Sequence, residues 1–142
     1  MNNINLQYNE LLFKANKSLR LLNSSLSKYS KFISDKEYSD DELEQFDALS
    51  DRFLRCTEMC LRLIRTWELL NFGENALTLR DTLNRAEKSG LIESTSEWMN
   101  MRQIRNRIAH DYLPEEIGFY YQMINDEYSK HLIHLIEFLS KK

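Results

Sequence analysis

Between positions 105 and 112 the chain reads Arg-Asn-Arg-Ile-Ala-His-Asp-Tyr, just before the only proline in the molecule. Two guanidiniums, an imidazole, an amide, a carboxylate and a phenol thus fall within eight residues. A histidine near its ordinary pKa of about 6.5 can pass a proton to or from a hydroxyl or a leaving oxygen. An arginine can steady the charge that develops on a phosphoryl group. Together these groups suit phosphodiester chemistry carried out without a metal. The plain alternative is a capped, salt-bridged helix end, and residue types alone leave both readings open. One histidine and one aspartate make a poor zinc or magnesium set. There is no glycine-rich phosphate loop and no serine or cysteine hydrolase motif. Neither a metal nor a cofactor is expected.

Helical geometry decides which of these groups can meet. At about 100° per residue, Trp98, Met101, Ile104, Ile108 and Ala109 fall on one broad apolar face. Arg105 lies inside that face, as does Tyr112 if the helix lasts so far. An arginine among apolar residues must meet a carboxylate, a carbonyl or a partner chain, and Asp111 is the nearest acid in sequence. Arg102, Asn106 and His110 form a second stripe at successive i, i+4 spacing. Asn106 could hydrogen-bond one nitrogen of His110 and fix its tautomer. Arg105 and His110, five apart, diverge by about 140°. To act on one phosphate they need a loosened helix end, the reach of arginine, or a second copy of the chain, whose symmetric pairing would bring both to one cleft.

The elements around this stretch are all helical. Apolar residues at steps of three and four run from Ile4 to Phe32 and predict a helix over residues 3–33. Ser34 to Tyr38 reads as a connection, and Ser39 with Glu42 forms a capping box. The helix it opens should run about 33 residues and stop at Gly73. Thr78 caps a short helix ending near Lys88-Ser89-Gly90, with Leu91 closing it. Ser94 and Glu97 cap the helix that carries positions 105–110. Leu113 and Pro114 interrupt it, and Pro114, Glu115 and Glu116 start the last helix. Gly118 inside that helix is unfavourable by roughly 1 kcal/mol against alanine, which points to a close approach. The expectation is an all-α, up-and-down bundle of about five helices, two long ones leading, as one domain over residues 1–142.

Bulk properties bound the function. The 142 residues carry a net charge of −3, so no global basic field draws nucleic acid, and any such contact rests on a local cluster. Only three glycines are present, which argues against a strand-and-turn architecture. No apolar run is long enough to span a membrane, and the start lacks the form of a signal peptide, so a cytoplasmic location without membrane contact is expected. Cys56 and Cys60 fit the apolar stripe of their helix and read as buried, reduced thiols. His131 and His134, three apart on the last helix, read as polar edges of a buried stripe.

Arg105, four residues, His110, one residue, Tyr112, with Asn106 after the arginine, resembles the signature of HEPN domains. The match is to the branch that forms the toxin half of HEPN/MNT toxin–antitoxin systems. The specific similarity covers Trp98 to Glu116, and helix order extends it over most of the chain. The resemblance implies a bundle that dimerises through the face bearing the motif. It implies a metal-independent endoribonuclease with Arg105 and His110 catalytic, Asn106 and Asp111 supporting, and Tyr112 at the substrate. Arg102 and Arg107 would add RNA contacts, doubled across a homodimer. The implied partner is a minimal nucleotidyltransferase antitoxin, which in some systems attaches AMP to the motif tyrosine, here Tyr112. Added phosphate there would fill the cationic cleft and exclude RNA. A related branch of the same fold keeps the nucleotidyltransferase partner but acts as a non-catalytic, substrate-binding subunit. The segment from Ala76 to Tyr112 is similar to that branch in its Leu91-Ile92 turn and Trp98.

Overall fold

Capping residues set most helix boundaries, as the sequence implies. The computed structural model describes residues 2–110 and 114–141, and it is helical with short connections. Helix α1 (Asn2–Ser27) leads into α2 (Asp40–Phe72), followed by α3 (Leu79–Lys88) and α4 (Thr95–His110). A last rod comprises α5 (Pro114–Met123), a π-helical segment (Ile124–Tyr128) and α6 (Ser129–Ser140). Ser39 and Glu42 complete the reciprocal box at the start of α2, and Gly73 ends it at φ 80°. Thr78 Oγ1 accepts from the Asp81 amide at 3.1 Å to open α3. Gly90 at φ 81° turns the chain out of α3, and the Leu91 amide donates to Ala86 O at 2.9 Å. These are the left-handed glycine terminations that local sequence dictates.

Two expectations change. The first helix ends at Ser27, six residues before its predicted limit at 33. Ser27 Oγ turns back onto Ser24 O at 2.7 Å, the local competition by which serine weakens a helix. Tyr29 and Phe32 keep the apolar spacing but leave the helix to pack elsewhere. Phe32 stacks on Tyr38 with centroids 5.2 Å apart and meets Phe46 edge-on at 5.1 Å. The last helix, read as regular, contains the π segment, whose wider turn shifts the hydrogen-bond register midway. Gly118 packs at ordinary van der Waals distance against the α1–α2 connection, so the expected close helix approach is not what places a glycine there. A Cβ there would stand 3.4 Å from both Phe32 Cδ1 and Phe32 O.

Helix α2 is the spine. It runs antiparallel to α1, with Arg52 Nη1 reaching Leu21 O at 3.2 Å and Ser25 Oγ at 3.0 Å. It also packs against α3, α4 and α6. The core gathers Leu22, Leu49, Phe53, Leu63, Ile64, Trp98, Met101, Ile104, Ile124 and Leu132. Cys56 and Cys60 lie inside it as free thiols. Burial and the Cys56 sulfur push the Cys60 thiol well up, whereas the hydrogen bond from Cys60 lowers Cys56. Among the described residues no helix is long and apolar enough to cross a membrane.

One buried carboxyl group ties the later part of the chain to α2. Glu68, near the end of α2, is fully buried and accepts from Asn75 Nδ2 and Thr82 Oγ1, each at 2.8 Å. Arg85 Nη1 lies 3.2 Å from its other oxygen. The carboxylate therefore ties the connection and α3 to α2. That in turn sets where α4 begins.

Candidate functional site

The first half of α4 is anchored and its last half is open. Ser94 Oγ accepts from the Glu97 amide at 3.2 Å, and the Glu87 carboxylate accepts from the Thr95 amide at 2.7 Å. Trp98, Met101 and Ile104 are at most 2% exposed, which fixes the rotation of the helix. That rotation leaves Arg102, Arg105, Asn106, Arg107 and His110 exposed, with Ile108 half-buried. Asp111 and Tyr112 lie outside the described residues, as does the predicted break at Leu113.

Two grooves flank α4, and they divide the predicted site residues between them. One, of about 630 Å³, is lined by Arg102, Gln103, Asn106, Arg107 and His110, with Leu54 and Glu58 of α2 opposite. The i, i+4 stripe of Arg102, Asn106 and His110 therefore forms one wall, although no hydrogen bond joins Asn106 to His110. The other groove, of about 450 Å³, holds Arg105 with Ile108 and Ala109 on its α4 side. Phe32, Leu43, Ile117 and Tyr121 supply apolar surface there, and Asp47, Ser50 and Asp51 supply polar groups.

Arg105 borders apolar surface and does find a carboxylate, but from α2 rather than from Asp111. Its Nε donates to Asp51 Oδ1 at 3.2 Å. Both side chains are about half exposed, so the pair contributes at most about 1 kcal/mol. The divergence of Arg105 from His110 is thus realised as two separate grooves within one chain. Nearby, burial pushes the Tyr121 hydroxyl up to about 12, with Asp47 and Asp51 adding to the effect.

His131 and His134 do not join His110. They line a third groove of about 360 Å³, opposite Gly90, Leu91 and Glu93, with Glu127 and Lys130 of the last rod. The His131 ring lies 6.5 Å from that of Trp98. No cluster of His, Cys, Asp or Glu suited to a metal occurs among the described residues.

Two residues escaped the sequence reading. Asp51 stands 54 positions from Arg105, and nothing local signals their pairing. Glu58 carried a faint signal, being the lone acid between Arg52, Arg55, Arg62 and Arg65 on α2.

The described residues thus form an all-helical bundle with one polar and one largely apolar groove on either side of a basic helix end. The chain belongs to the family described as nucleotidyltransferase substrate binding protein like, which it matches over residues 12–141. Comparison with curated proteins gave no match.

Proposed function

We propose that the protein is the substrate-binding subunit of a two-protein nucleotidyltransferase system, with the open half of α4 as its working surface. The observation that carries this reading is the family match over residues 12–141, whose description names such a role. The geometry agrees with binding. The groove beside His110 is wide, open and cationic, and its guanidiniums at Arg102 and Arg107 fit a phosphate-bearing ligand. Arg105, meanwhile, is held by Asp51 in the neighbouring groove, so within one chain Arg105 and His110 do not share a groove.

A second reading is favoured by one specific observation, the complete Arg105-x4-His110-x-Tyr112 pattern in the sequence, of which Arg105 and His110 are exposed on the last turns of α4. On that reading the protein is a metal-independent endoribonuclease toxin. A homodimer would place Arg105 of one copy beside His110 of the other. The nucleotidyltransferase would then be its antitoxin, acting by binding or by AMP transfer to Tyr112.

Co-expression with the nucleotidyltransferase of a neighbouring reading frame tests both readings. The binding subunit should co-purify with that enzyme and leave RNA intact with or without it. If the chain alone cleaves RNA and arrests growth, and His110→Ala abolishes both, the toxin reading replaces the first. Failure to associate with any such enzyme sinks both.

A further inference from the structure

The groove beside His110 is not uniformly basic. Opposite Arg102, Asn106 and His110, helix α2 presents the half-buried carboxylate of Glu58. Among the described residues Glu58 takes part in no ion pair and no side-chain hydrogen bond, and the same holds for Arg102 and Arg107. Arg55 and Arg62 lie one turn to either side of Glu58 on α2, yet neither pairs with it. A groove therefore holds unengaged donors that suit phosphate on one wall and an unengaged acceptor-only group on the other.

Phosphate alone cannot satisfy that arrangement, because a carboxylate facing the ligand repels it. A ligand that carries phosphate together with hydroxyl donors can satisfy both walls. We infer that Glu58 is a specificity residue that accepts a hydrogen bond from a ribose hydroxyl, so that this groove takes a ribonucleotide unit, its phosphate on Arg102 and Arg107. A carboxylate can read a ribose hydroxyl in this way, as the acidic residue of Rossmann dinucleotide sites does, and about 630 Å³ is room for such a unit. The inference rests on this groove being the substrate surface proposed above. It adds that the surface tells ribose from deoxyribose.

The test is fluorescence anisotropy with single-stranded RNA and DNA of one sequence at about physiological salt, since phosphate contacts dominate at low salt. A hydrogen bond to a charged group is worth roughly tenfold or more in affinity. The wild type should therefore prefer RNA by about that factor. Glu58→Ala should bring the ratio to near one by weakening RNA, and Glu58→Gln, which keeps one acceptor oxygen, should fall between. Circular dichroism melts of each variant establish that the fold is intact. Competition by AMP but not by deoxy-AMP would identify a free ribonucleotide as the ligand; competition by oligoribonucleotide alone would identify an RNA strand. If Glu58 is only a solvated acid, its removal relieves repulsion and strengthens RNA and DNA equally, leaving the ratio unchanged, and the inference is wrong. Equal binding of RNA and DNA by the wild type overturns it while sparing the substrate surface. Binding of neither overturns both.

Discussion

Arg105 is the residue on which the two functional readings differ, and its partner sets what it can do. Held by Asp51 at 3.2 Å, it faces away from the groove that contains His110. Because the pair is solvent-exposed, it restrains the side chain weakly. Asp51→Asn should lower stability by less than about 1 kcal/mol in urea unfolding. The same change removes a competing carboxylate and frees a guanidinium, so affinity for single-stranded RNA should rise by a few fold, with a steeper salt dependence. Unchanged RNA affinity in that variant would mean that Arg105 is a structural residue alone. None of this pairing was legible in sequence. Asp51 and Arg105 meet only because α2 and α4 pack antiparallel, whereas Arg102, Asn106 and His110 share a wall for the local reason that i, i+4 residues are helix neighbours.

The helices divide along the same line between local and distant causes. Ser39, Gly73, Thr78, Gly90 and Ser94 act within a turn of themselves, so their boundaries follow from residue types. The end of α1 has both kinds of cause, because Ser27 bonds back onto Ser24 O while Phe46 and Tyr38 draw out Tyr29 and Phe32, which continue the spacing of a buried stripe. The π segment has no compositional mark either, since it differs from an α-turn only in which amide meets which carbonyl. Its i→i+5 bonding amounts to one extra residue in the rod. Deleting Asn125 should restore a plain α-turn, and the protein should still unfold cooperatively, with a Tm lower by a few degrees. Deleting one residue amid α2 would instead turn everything beyond it by about 100°. Loss of the cooperative transition on deleting Asn125 would show that the π geometry itself is required.

For the molecule as a whole, the aromatic cluster around Tyr121 sets a limit at high pH. The Tyr121 hydroxyl is pushed from 10.0 to about 12 by burial first, then by Asp47 and Asp51. Its folded pKa is raised, so the native state keeps a proton that the unfolded chain releases above pH 10. Stability tied to this group is fully present below about pH 10 and falls as pH rises towards 12. Tyr121→Phe should therefore flatten that part of the stability–pH curve, by roughly 2 kcal/mol across the window. An identical slope in the variant would assign the alkaline loss to other groups. The thiols at the centre of the same core carry a different consequence. Cys56 and Cys60 are 0% exposed on the spine that four other helices cover. A thiol reagent can reach them only after that packing opens, so their alkylation is a built-in clock for the opening of this part of the core.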